Sequence, residues 1–355
     1  MIRYAIRRLL QAIPTMFGIT IITYFIMASA PGSPATQLTL NPELTVRQRN
    51  AMAEAMGVNM PVYEQYARWM IGDKPISILG VKIWDGREMP VFDPRGNQIG
   101  TQIGDQEGLL RGDFGRSLVS RRPVTEIIQN RLWPTVELGA LSLLIGTTIG
   151  IPVGVLAAVN QGGIFDQVTR IMAVIVSAVP VFWLGLILLL IFGSWLELLP
   201  MGNRRPASIS GDYTLAEIIP HYILPVFTLS SFTIATFSRF TRASVLDVLN
   251  QDYVRTARAK GLQNTSVWFT HATRNALIPI ATLIGPALPG VIAGAVLTET
   301  IYAWPGMGRL VLEAIQSQDY PVVMAVTLMF SVATIIGYLI SDLLYAVLDP
   351  RIRLN

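Results

Sequence analysis

Cysteine is absent from this chain of 355 residues. No disulfide, thiolate metal site or redox motif can form. Histidine occurs twice, at His221 and His271, too few for a histidine-based metal centre. The three lysines, Lys74, Lys82 and Lys260, are followed by Pro, Ile and Gly. None completes a phosphate-cradling G-x-x-x-x-G-K-[ST] loop, so the chain is not itself a P-loop NTPase. Neither His-Glu-x-x-His nor Gly-x-Ser-x-Gly occurs. Charge is scarce too: 14% of residues are Asp, Glu, Lys or Arg, against about 25% in soluble domains. The sequence therefore offers no catalytic, cofactor-binding or metal-binding residue.

What it has is apolar length. Hydrophobic residues make up 52% of the chain. A membrane helix needs about 20 mainly apolar residues, and six stretches qualify: Leu9–Ala30, Thr135–Val159, Ile171–Leu196, His221–Ser238, Ala276–Thr298 and Pro321–Leu348. The fourth is weakest, being short, rich in Ser and Thr, and interrupted by Pro225. The first resembles a signal peptide, but its apolar run is longer than the roughly 7–15 residues of a signal h-region. It is read as a retained span.

Lys and Arg concentrate in short cytoplasmic loops, which sets the orientation. With the N-terminus inside, segments 1–8, 160–170, 239–275 and 349–355 carry twelve basic and four acidic residues. The short outside loops 197–220 and 299–320 carry three basic and six acidic. This split holds only if the fourth stretch crosses. Both termini are then cytoplasmic, and the chain divides into residues 1–30 (N-terminus and first span), an extracytoplasmic insert at 31–134, and a five-span core at 135–355. Within the insert, Glu43–Ile71 carries helical signals, and Val81–Trp84 and Met89–Phe92, each followed by turn residues, read as short strands. Ser120–Leu132 reads as an amphipathic lead-in to the second span.

Few ionisable residues fall inside the spans. Glu137 and Asp342 sit near span ends and read as interfacial carboxylates, hydrated or capping a neighbouring helix, rather than as a proton-coupled site. His221, at an outer span end, reads as interfacial rather than as a nickel ligand. The segment Trp304-Pro-Gly-Met-Gly308 reads either as an interfacial turn with an aromatic anchor or as a re-entrant piece lining an outer vestibule. Glu299, Trp304, Pro305 and Gly306 are the candidates for that vestibule.

The basic segment Arg239–Arg274 lies between two apolar spans. Val254–Lys260 can form a short helix, Gly261 can end it in a left-handed conformation, and Trp268 and Phe269 offer an apolar face. Such a helix across a cytoplasmic surface suits docking in a groove on another protein.

Here the sequence resembles the permease subunits of ATP-binding-cassette importers. Their general signature, Glu-Ala-Ala, three residues, Gly, nine residues, Ile-x-Leu-Pro, fits poorly around Gly261, where only Ala257 of the first three positions matches. The peptide and nickel branch fits closely, with D-Y-x-R-T-A-R-A-K-G-L at Asp252–Leu262 and H-A-x-R-N-A-x-x-P at His271–Pro279. Pro31-Gly-Ser-Pro34, Gly112–Ser117, Thr135–Leu138, Thr298–Gly308, Asp319–Val322 and Leu348–Arg353 extend the likeness over most of the chain. The long insert at Gly72–Leu110 is the main departure. The resemblance implies an all-α polytopic membrane protein of six transmembrane helices with the type I importer permease fold and an extracytoplasmic insert of helices and short β-strands.

It also implies partners: a second, related permease, two ATPase subunits carrying ATP and magnesium, an extracytoplasmic solute-binding protein, and the bilayer of a bacterial or archaeal cytoplasmic (inner) membrane. Asp252, Tyr253, Arg255, Thr256, Ala257, Lys260, Gly261, Leu262, His271 and Arg274 would meet the ATPases. The implied solute is a di- or oligopeptide, with nickel or glutathione as alternatives. The basic loop needs no nucleic acid to explain it. A stand-alone secondary transporter lacks its midplane carboxylates here, and a membrane scaffold leaves the cytoplasmic pattern unexplained.

Overall fold

A computed structural model describes residues 2–29, 45–55, 57, 59–78, 81–206, 213–263, 268, 273–293 and 295–348. The apolar runs form helices, because a backbone in hydrocarbon must satisfy its own N–H and C=O groups. In chain order these are α1 (Ile2–Ser29), α2 (Val46–Ala55), α3 (Val62–Ile71), α4 (Val124–Val159), α5 (Ile164–Ala178) and α6 (Val181–Leu188). There follow α7 (Leu215–Leu249), α8 (Asp252–Ala259), α9 (Thr273–Ala293), α10 (Val296–Ile301), α11 (Met307–Gln316) and α12 (Tyr320–Leu348). Between α3 and α4 lie β1 (Ile76–Ile78), β2 (Val81–Trp84), β3 (Glu88–Phe92) and β4 (Gln98–Ile103). The chain divides into two compact units. One comprises Met1–Ala12, Arg131–Leu310 and Val332–Asn355; the other comprises Ile13–Asn130 and Val311–Ser331.

Among the described residues, five helices are long and apolar enough to cross a membrane, six if the bent pair α5–α6 counts as one. That pair corrects the expectation of one unbroken third span over Ile171–Leu196. Its two arms meet at 98°. Val179 is extended (φ −81°, ψ 129°), as the residue before a proline tends to be, and Pro180 has no N–H to continue the ladder. A π-helix, Leu189–Trp195, follows α6. The weak fourth stretch forms the long helix α7. Thr214 and Glu217 start it with a capping box: the Thr214 N–H and hydroxyl each donate to Glu217 Oε2 at 2.8 Å, satisfying donors the helix cannot. The Thr228 hydroxyl bonds back to Leu224 O at 2.8 Å and also meets the Tyr302 hydroxyl at 2.8 Å, so its polarity is satisfied inside the unit. The fifth stretch is apolar enough to cross as one span over Leu283–Ile301, with α9 ending at Ala293 and α10 beginning at Val296.

In the first unit, α4 meets α7 along Gly146, Gly150 and Gly154. A Cβ at Gly154 would lie 2.5 Å from Ser238 O and 2.6 Å from Thr241 Cβ, and one at Gly150 would lie 3.0 Å from Phe237 Cβ. These glycines let two backbones approach where side chains would hold them apart, a recurrent solution in membranes. Nearby, Val155, Ala158, Val245 and Ala276 form a buried cluster. Gly154→Leu is expected to destabilise the chain by about 1–3 kcal/mol, the usual cost of overpacking. The thermal unfolding midpoint of the detergent-solubilised permease measures it; an unchanged midpoint would refute the close seam.

The second unit is held by polar contacts and two hairpins. β1 pairs antiparallel with β2 (Ile76↔Trp84, Ile78↔Val81), and β3 with β4 (Glu88↔Ile103, Val91↔Gly100). The β3–β4 turn is built by Asp93, whose Oδ1 accepts the N–H groups of Arg95 at 2.9 Å and Asn97 at 2.8 Å. Hydrogen bonds from the Asn97 side chain and backbone hold the Asp93 carboxyl below its usual range. Arg68 on α3 closes on Asp73, with Nε 3.0 and 2.9 Å from the two carboxylate oxygens and Nη2 at 2.9 Å. Tyr24 of α1, Tyr66 and Trp69 pack ring against ring beside them. Asp319, buried, accepts the Ser117 hydroxyl and the Leu118 N–H at 3.0 Å, tying the segment before α4 to the start of α12.

Candidate functional site

The basic segment folds as α8 followed by a turn. Asp252 begins the helix, and the Thr256 hydroxyl bonds back to Asp252 O at 2.9 Å. Val254 is fully buried, while Asp252, Tyr253, Arg255, Thr256, Lys260, Gly261 and Leu262 are exposed. One valine thus anchors a helix whose remaining described face is open to water. Asp252 and Arg255 approach to 3.6 Å with side chains 97% and 72% exposed, a contact worth little to stability and free to exchange for another partner. Gly261 has φ +77°, a conformation that favours glycine, and a Cβ there would meet nothing within 4 Å. The backbone, not crowding, requires glycine. Ala257 and Arg274 lie in α8 and α9, but their side chains are outside the described residues, as are His271, Phe269, Pro31–Pro34 and residues 349–353.

The second candidate, Glu299-to-Gly306, is gathered into one buried turn. Glu299, Tyr302 and Trp304 are almost wholly enclosed. Trp304 Nε1 donates to Pro134 O at 2.9 Å, and its ring meets Tyr222 edge-on at 4.7 Å. The Trp304 N–H donates to Glu299 O at 2.7 Å, and the Gly306 N–H to Trp304 O at 2.8 Å. A Cβ at Gly306 would run into the Glu299 carboxyl group. Ala303 turns the chain at φ +48°. The Glu299 carboxylate accepts the Thr135 hydroxyl at 2.9 Å and the Arg309 N–H at 2.9 Å, while Thr135 Oγ1 accepts the Met307 N–H at 2.7 Å. Glu299 and Thr135 thereby cap α11, whose own preceding residue, Gly306, has no side chain to do so. Trp304 and Gly306 are packed inside the unit rather than exposed as an outer wall or an interfacial anchor; Pro305 is half-buried. Of the four, Glu299 borders a cavity.

A third polar group was only half legible. Glu137 is paired: Arg204 Nε and Nη2 reach its two oxygens at 2.9 and 2.6 Å, and the Tyr222 hydroxyl donates at 2.7 Å. Arg204 comes from the loop before α7 and Tyr222 from α7, so neither partner is near Glu137 in sequence. Asp342 meets Arg8 at 2.9 Å. His221 Nδ1 lies 2.9 Å from Gly202 O and 3.0 Å from Asn203 O, so that nitrogen carries the proton and faces carbonyls.

Residues 150–354 match the family described as "Binding-protein-dependent transport system inner membrane component", and residues 1–76 match its N-terminal companion, "Binding-prot-dependent transport system membrane comp, N-term". The chain is 38% identical over 354 residues to the oligopeptide transport system permease protein AppB of Bacillus subtilis (strain 168), covering 99% of this chain and 100% of that protein. It is 35% identical over 376 residues to the dipeptide transport system permease protein DppB of Escherichia coli (strain K12), covering 99% of each. It is 33% identical over 353 residues to the glutathione transport system permease protein GsiC of the same strain, again covering 99% of each.

Proposed function

The chain belongs to the family of binding-protein-dependent transport system inner membrane components, and on that premise we propose that it forms half of the translocation pathway of an ATP-driven importer for di- or oligopeptides. It is a non-catalytic, multi-pass membrane subunit, and ATP hydrolysis belongs to partner subunits. The observation that carries the peptide reading is full-length likeness to an oligopeptide and a dipeptide permease. The glutathione permease among its relatives keeps a modified tripeptide as the second reading.

In this proposal the second permease is a homologue. In the most apolar window of α1 only 6% of the residues are buried within the chain, and lipid or that subunit covers the rest. The extracytoplasmic binding protein delivers solute on the side of the insert, residues 31–134. Both termini and the α8 segment face the cytoplasm, as the positive-inside charge pattern supports. Two ATPases receive α8 and the turn at Gly261. Their ATP-driven closure biases a two-state equilibrium between inward- and outward-facing permease pairs. The exposed face of α8 gives the ATPase a handle, and Val254 gives the bundle its grip on that handle.

Gly261→Pro and Gly261→Asp test the coupling. Proline fixes φ near −65°, and Asp at positive φ costs about 1–2 kcal/mol as an L-residue in the left-handed region. Because a Cβ here meets open space, the bundle should still assemble. In proteoliposomes holding the full transporter, trialanine uptake is expected to fall to background while ATP hydrolysis continues. Unaltered uptake would sink the coupling assignment.

A further inference from the structure

A cavity of about 260 Å³ lies in the first unit where α4, α7, α9 and α10 converge, bordered by Gly139, Ser142, Thr233, Ala287, Gly290 and Glu299 among others. It falls just below the roughly 300–1,000 Å³ of whole-ligand pockets, which suits one end of a solute. The hydrogen bonds of its wall point one way. Ser142 donates its only O–H to Leu138 O at 2.7 Å. Thr233 donates to Leu229 O at 3.2 Å, and Thr135, also on the wall, donates to Glu299 at 2.9 Å. A hydroxyl has one proton and two lone pairs, so Ser142 and Thr233 present lone pairs alone. The Glu299 carboxylate already accepts from Thr135 and from the Arg309 N–H, and has only lone pairs for any further partner. Among the described residues, no Lys, Arg or His side chain borders the space.

Resting on the peptide-importer reading, we propose that this cavity is a way-station for the amino end of the solute. It accepts an ammonium or another N–H donor and turns a carboxylate away. An ammonium brings three donors and no acceptor, the complement of this wall. A carboxylate would meet only like acceptors, and burying it unpaired is costly. The small residues leave room for the backbone end of a peptide rather than for a bulky side chain.

The cysteine-free sequence makes the test direct. Gly290 is exposed, and a Cβ there meets nothing within 4 Å, so Gly290→Cys places one thiol at the cavity without repacking. Ala287→Cys is the second site should Gly290→Cys fail to assemble, and Ser120→Cys, on an exposed stretch, is the reference. In the reconstituted full transporter, modification of this chain is followed by mass. A trimethylammonium-ethyl thiosulfonate should react about tenfold or more faster than its sulfonate analogue, after normalising to the reference thiol; a one-signed cleft concentrates counter-ions by such factors. Excess trialanine during turnover should slow modification about threefold or more. Equal normalised rates, or no slowing while trialanine is transported, would overturn the way-station. A persisting charge contrast in a transporter that takes up no trialanine would instead overturn the peptide reading and leave the donor preference standing.

Discussion

Glu299→Ala is expected to destabilise the permease by about 2–5 kcal/mol, from buried groups left without their acceptor and an emptied side-chain volume. The variant strips the acceptor from the buried Thr135 hydroxyl on α4 and from the N–H of half-buried Arg309 at the start of α11. Each orphaned buried group costs about 1–3 kcal/mol, and the emptied side-chain volume adds to that. Glu299→Gln should fall between Ala and the native residue. Its carbonyl oxygen can serve Arg309, and its amide can face Thr135, whose hydroxyl is able to reverse. Intrinsic tryptophan fluorescence during thermal unfolding in detergent reads this, since Trp304 packs in the same turn. An Ala variant that melts with the native protein would show that α11 does not depend on this cap. A Gln variant no better than Ala would show that acceptor geometry is not what matters.

The second large effect lies in the other unit. Asp73→Ala leaves the Arg68 guanidinium buried without the carboxylate that fills its fork, again a loss of about 3–5 kcal/mol. The site cannot readily relax. Asp73 N donates to Gln106 O at 2.8 Å, its carbonyl accepts the Arg87 N–H at 2.8 Å, and Gly104 packs so closely that a Cβ there would strike the Asp73 carboxyl group. Replacing both partners with apolar residues, Arg68→Met with Asp73→Leu, is expected to recover most of the loss, because a buried pair contributes little net stability over well-packed hydrocarbon. Limited proteolysis of the assembled transporter measures it. The single variant should be cut much faster between α2 and α4, with the spanning helices spared. Equal lability of the single and double variants would mean that Asp73 matters for its backbone contacts rather than for its charge.

Much of the fold was legible because hydropathy and charge parity report on the bilayer. Loop charges required the fourth stretch to cross, and α7 runs unbroken through Pro220 and Pro225. The strands Val81–Trp84 and Glu88–Phe92 were signalled by their turn residues. The bend at Pro180 was hidden, because the apolar run continues through it and hydropathy carries no direction. The left-handed glycine at Gly261 was readable from residue type alone. The partners of Glu137 and Glu299 were not. A carboxylate near a span end looks interfacial unless Arg204, or Thr135 at a separation of 164 residues, is known to reach it. Such closures are decided by tertiary packing, where one sequence read alone has no period to offer.

The bond between Thr135 and Glu299 also sets an order of events during synthesis. Thr135 stands at the beginning of the second span, and its acceptor is made only after three more spanning segments have been synthesised. Until then the Thr135 hydroxyl on α4 lacks this acceptor. Glu299 lies in the C-terminal third of the chain, so this bond closes late, as does the one from Ser117 to Asp319. A chain cut short before Glu299 would keep most of its spans and lack the bond that ties α4 to α10.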